Sequence, residues 1–203
     1  MGLALNARKT EVITYNIKDH LHLKTTSGAE LRSVEDFKYL GSWVESTEKD
    51  LKIRKALAWQ ALNKMRSIWK SKLSRDTKVR LLRATVESVL LYGCEAWTMT
   101  PTLEKSLNGC YTRMLRAVLD IKWFHHILNS DLYKGMNKVG DMVASRRMQL
   151  AGHCFRHKEL PASDLILWAL THGVRTRGRR RINYIDLLKR DSGVENDGSW
   201  PCV

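Results

Sequence analysis

Between Lys52 and Arg83 the chain sets eleven basic side chains against a single acid, Asp76, while its apolar residues recur at helical spacing. A segment so charged must keep one side in water. It therefore reads as two consecutive amphipathic surface helices rather than as buried strand. Its local balance of +10 (11 minus 1) accounts for most of the +14 carried by the whole chain. Charge concentrated in this way marks a polyanion-binding surface more than general solubility.

From Glu48 to Leu73 the spacing predicts one long helix. At about 100° per residue, Ile53, Leu57, Ala58, Ala61, Leu62, Met65, Ile68 and Trp69 fall on one half of the wheel. Lys52, Lys55, Trp59, Arg66 and Lys70 gather on the other. Ammonium and guanidinium groups on such an edge meet phosphates, and an exposed indole stacks on a sugar or base. The competing reading is a solvated face whose long side chains cover a neighbour. Ser74 is the expected N-cap of a second helix, with Val79, Leu82, Val86, Val89 and Leu90 as its apolar stripe and Gly93 interrupting or ending it. Pro101 suits the first turn of a third helix running to about Ile121. Shorter helices are expected at 129–136 and 139–158, and an amphipathic turn or two from Ile182 to Arg190. Residues 161–173 are apolar but too short to decide between helix and strand.

Residues 10–45 favour strands: Thr10 to Tyr15 is β-rich, Leu21 and Leu23 alternate with His22 and Lys24, Ser27-Gly28 supplies a turn, and Phe37 to Val44 makes a further strand. So few strands leave unpaired backbone at their edges, so this element should lean on the helices that follow or on a piece upstream. At 203 residues the chain forms one sizeable domain or two small ones, burying roughly 70% of its unfolded surface without needing disulfides. Its pI near 9.8 favours a polyanionic partner, nucleic acid first and an anionic membrane second. No stretch approaches the ~18 apolar residues of a membrane span, and the N-terminus lacks the basic region of a signal peptide. Cys94, Cys110, Cys154 and Cys202 lie far apart and read as reduced thiols of an intracellular protein, nuclear or cytoplasmic.

Motifs that carry chemistry are few. Arg175 to Arg181, with Arg177, Arg179, Arg180 and Arg181, reads equally as a nucleic-acid-binding run, a nuclear localisation signal or a solvated linker. His153 and His157 stand one helical turn apart beside Cys154, but no paired ligand spacing completes a zinc site, so no metal is expected. Glu35, Asp36 and Asp186 set up no two-metal pair, and no Walker loop, nucleophile elbow or Cys/His dyad is present. No small-molecule substrate is evident. Trp43, Trp69, Trp97, Trp123 and Trp168 read as core or partner-facing anchors.

The order of several short motifs carries a resemblance. Asn6-Ala7-Arg8-Lys9-Thr10 is followed by Phe37-Lys38-Tyr39-Leu40-Gly41-Ser42, then by Leu62 to Trp69, Leu90 to Trp97, Arg146-Arg147 with Gly152-His153, and Gly178-Arg179-Arg180. Up to about Gly193, this series resembles the C-terminal portion of non-LTR (LINE-type) retrotransposon reverse transcriptases. The resemblance implies a mainly α fold with a small N-terminal antiparallel β element, a thumb-like helical bundle and further C-terminal helices. The implied divisions are a palm-end and primer-grip segment at 1–46, a thumb at 47–123, a C-terminal helical region at 124–193 containing the basic linker 175–181, and a disordered tail at 194–203.

By the same resemblance, Lys9 belongs to polymerase motif D, near the incoming nucleotide's phosphates and as a candidate proton donor. Tyr39 and Gly41 belong to the primer grip, and the helices after residue 47 track the template–primer duplex. The family's metal-binding aspartates lie upstream of every matched segment. Mg²⁺ is therefore expected only with a palm, and this chain alone is expected to bind RNA template, DNA primer or duplex without polymerising. The stretch Glu195 to Val203 departs from the family, as a truncation or shifted frame does. Two further readings stand beside this one: a stand-alone helical nucleic-acid-binding module, and an inert relic of a mobile element.

Overall fold

In the computed structural model, which describes residues 6–14, 23–34, 37–43, 46–157, 159, 164 and 182–193, the chain divides into two units, Met1–Asp50 and Leu51–Val203. The first holds two small strand pairs. Strand β1 (Glu11–Val12) runs parallel to β2 (Arg32–Ser33), and β3 (Lys38–Tyr39) runs antiparallel to β4 (Ser42–Trp43). The β element is thus only partly antiparallel. The connection between β1 and β2 contains its own bridged turn, Lys24 to Glu30, and a long crossover is what parallel pairing requires. The strand expected over Phe37 to Val44 folds back on itself instead. Leu40 (φ 46°) and Gly41 (φ 91°) both adopt left-handed backbone, the conformation a tight hairpin turn demands.

The second unit is helical. Helix α1 (Thr47–Lys64) is followed by a short α2 (Arg66–Trp69) and by α3 (Arg75–Leu82). Ser74 caps α3 as expected, its hydroxyl accepting from Thr77 N at 3.3 Å. A π-helical turn, Arg83–Glu87, links α3 to α4 (Ser88–Leu90), and Gly93 turns the chain with φ 71°. Helix α5 (Pro101–Val118) starts where Pro101 predicts, with the Thr100 hydroxyl accepting from Leu103 N at 3.3 Å. Then come α6 (Asn129–Leu132), α7 (Val139–Arg156) and α8 (Tyr184–Ser192). The regions 161–163, 165–181 and 194–203, with the arginine-rich run and Leu21, lie outside the described residues.

One core joins these helices. Leu62, Trp69, Leu82, Val86, Leu90, Leu107, Tyr111, Met114, Leu115 and Val143 are all buried in it. Helix α8 is fastened by a polar clamp. Arg147, fully buried, pairs with Asp191 and donates to the Trp97 carbonyl at 3.2 Å, while the Tyr184 hydroxyl donates to the Glu95 carbonyl at 2.9 Å. Among the described residues, no helix is long and apolar enough to cross a membrane.

Candidate nucleic-acid interface

Acids in the first turn of α1 (Glu48, Asp50) and a lysine in its last (Lys64) suit the helix dipole, and so help define its ends. Its buried stripe is Leu51, Arg54, Ala58 and Leu62. That stripe is rotated from the one the wheel predicts, because an arginine takes a core position. The Arg54 guanidinium lies 4.3 Å from the centre of the Tyr92 ring, so the ring's π face shelters a buried charge. Leu57, assigned to the apolar half, is 39% exposed in consequence.

The rotation redistributes the basic edge. Lys52 stays exposed. Lys55 and Trp59 move to a half-buried seam: Lys55 Nζ donates to Ser106 Oγ of α5 at 2.7 Å, and Trp59 packs against the core. Trp59 is therefore no free stacking indole.

The single helix expected through Leu73 also breaks, at Met65. In a continuous helix the Leu62 carbonyl would accept from Arg66. Here it accepts from Met65 N at 3.2 Å and from the buried Trp69 indole N–H at 2.8 Å, so Trp69 satisfies the group the break would strand. Arg66 and Lys70 emerge beyond the break and are exposed.

Of the eleven cations, Arg54 is buried, Lys55 is held by Ser106, and Arg75 donates to the Leu132 carbonyl at 2.7 Å. The other eight are Lys52, Lys64, Arg66, Lys70, Lys72, Lys78, Arg80 and Arg83. All are exposed except half-buried Lys78, and none forms an ion pair with a described carboxylate. The π-helical turn keeps its own buried acid occupied. Glu87 accepts from the Tyr111 hydroxyl at 2.6 Å, and burial followed by that carboxylate pushes the Tyr111 pKa up.

In the first unit, Tyr39 (61% exposed) and Leu40 (75% exposed) stand at the hairpin tip beside Gly41. Lys9 is exposed in a turn, its N–H donating to the Asn6 carbonyl at 3.0 Å. His153 and His157 stack at 4.6 Å, and His157 meets Glu159 at 2.9 Å, with Cys154 buried. Among the described residues, no group of three or more histidines, cysteines or carboxylates is placed to hold a metal ion. Arg177, Arg179, Arg180 and Arg181 lie outside the described residues.

Two features escape the sequence reading. The buried Arg54 had no signal, since an arginine among lysines looks like surface. The aromatic loop after α5 had one: Trp123-Phe124 follows the last apolar position of a strongly patterned helix, where a chain ordinarily becomes polar. Trp123 is 85% exposed, which leaves only the partner-facing half of its reading.

A family model described as a domain of unknown function, DUF6451, matches residues 61–92, from the end of α1 to the residue before Gly93. No curated protein and no solved structure matches the chain.

Proposed function

We propose that this chain is a nucleic-acid-binding, thumb-like segment related to non-LTR retrotransposon reverse transcriptases, working in the nucleus or cytoplasm. Template–primer nucleic acid would bind on the basic surface between Lys52 and Arg83. One observation carries the reading: none of eight cations in that stretch forms an ion pair with a described carboxylate, and seven of them are exposed. A charged surface that is not internally neutralised retains its full attraction for a polyanion.

In this reading the chain grips and does not polymerise. Metal-assisted nucleotidyl transfer needs carboxylates that hold two divalent ions, and the matched segments supply none. The test is a salt titration of binding to a primed RNA template and to blunt DNA duplex. If about four of the eight cations meet phosphates, log K falls against log[salt] with a slope of about −3 to −4. A slope near zero, or primer extension by the purified chain with Mg²⁺ and nucleotides, overturns the proposal.

A further inference from the structure

We propose that the loop carrying Trp123 and Phe124 is a stacking platform for the unpaired bases of a strand whose phosphates lie on the neighbouring basic surface. This rests on the nucleic-acid reading above and adds to it a preference for single-stranded extensions.

The loop is apolar, unburied and held in place. Trp123 is 85% exposed, Phe124 54% and Leu128 67%, whereas Trp69 and Trp97 are at 3% and Trp43 and Trp59 are half-buried. Trp123 and Phe124 pack edge to face with ring centres 5.8 Å apart, and His125 packs edge to face on Phe124 at 4.6 Å. The backbone around them is pinned. Arg116 of α5 donates to the Ile127 carbonyl at 2.6 Å and to Asn129 Oδ1 at 2.9 Å, and Lys122 N donates to His125 Nδ1 at 3.2 Å. Rings presented by a braced loop lose little freedom when they bind, which is the condition for a useful anchor.

The occupant follows from the surroundings. Arg75, at the start of α3, donates to the Leu132 carbonyl at the end of α6, so the basic segment and the element following the loop are joined. On the loop's other side, Lys122 binds Asp120 at 2.8 Å and lowers its pKa, with smaller help from Lys78 of α3 and from His125. The one acid at the loop is thereby matched. Flat rings beside a cationic strip suit a strand that offers both bases and phosphates. Acyl chains would gain nothing from the imidazole.

The test compares wild type with W123A and W123F. The probes are a labelled duplex with a single-stranded extension, the matching blunt duplex, and phosphatidylserine/phosphatidylcholine vesicles. Trp123 buries almost nothing, so both variants should keep the wild-type circular dichroism and melting temperature. Wild type is expected to favour the extended duplex by about tenfold. W123A should lose that preference while holding blunt duplex within about twofold, and W123F should keep most of it. If wild type binds blunt duplex but W123A leaves the extension preference unchanged, the platform is refuted while the basic surface stands. If wild type binds neither duplex, both readings fall. Vesicle binding that W123A abolishes, with nucleic-acid binding untouched, reassigns the loop to a membrane and refutes the proposal.

Discussion

Helices α5 and α1 each run eighteen residues, yet they are held by different means. In α5 every turn repeats one decision. Leu107, Cys110, Tyr111, Met114, Leu115 and Val118 return at steps of three and four, and all are at most 1% exposed. Helix α1 instead buries an aspartate, a leucine, an arginine, an alanine and a leucine, leaves Leu57 in water, and fastens its seam with Lys55 on Ser106. Burial repeated at every turn fixes the orientation of α5. In α1, polar contacts share that task, so its remaining cations are free to point outward as a surface.

The comparison implies an ordered set of mutational costs, greatest where burial acts alone. Leu115 is fully buried, so L115A removes its transfer energy and leaves a cavity, costing about 2–5 kcal/mol. Urea melts should show a lower midpoint with an unchanged m-value. A loss below about 1 kcal/mol would mean that α5 repacks and is less rigidly specified than its pattern indicates.

Tyr111 is the polar exception within α5, and Y111F sharpens the contrast. Removing its hydroxyl leaves the buried Glu87 carboxyl without that donor, at a cost of about 1–3 kcal/mol near neutral pH. Alkaline behaviour gives a second readout. The Tyr111 pKa is raised from 10.0 by burial and by Glu87, so the unfolded chain releases this proton before the folded one does. Its contribution is complete below pH 10 and declines as pH climbs above that. Cys94 acts earlier: burial, then Glu95, push its thiol from 9.0 up to about 11, so stability begins to fall near pH 9. In urea midpoints taken from pH 8 to 11, Y111F should keep the onset near pH 9 and show a shallower fall beyond pH 10. An unchanged slope above pH 10 would mean that Tyr111 ionises alike in both states.

The same contrast explains how far the sequence could be read. Helix α5 was legible from Pro101 onward because its cap, first-turn proline and apolar period all agree. Ser74, Gly93 and the helix from Val139 were also legible, whereas the helix expected over 129–136 ends at Leu132 and the turn or two expected from Ile182 to Arg190 is a helix, Tyr184–Ser192. The rotation of α1 was not legible. Sequence counts Arg54 as surface, and the Tyr92 ring that meets its guanidinium lies far along the chain. The break at Met65 was hidden too, because the Trp69 indole that supports it is a tertiary contact. The parallel pairing of β1 with β2 depends on a crossover that two-residue strands do not announce. Of the basic edge, the sequence found the charges but not which of them the packing uses.

Lys52 and Lys55 separate those two uses of charge within a single turn of α1. Lys52 is exposed with no ion pair among the described residues, while the Lys55 ammonium is held at 2.7 Å by Ser106. Neutralising a lysine that meets a phosphate should flatten the salt slope by about 0.9. K52Q is expected to show that change with its urea midpoint unmoved, since the substitution disturbs only surface. K55Q should do the reverse, shifting the midpoint slightly and the slope by less, because its charge is already committed to the seam with α5. Equal slope changes in the two variants would mean that Lys55 leaves Ser106 when nucleic acid arrives. The seam would then belong to the binding surface, and α1 would differ from α5 by more than the way it packs.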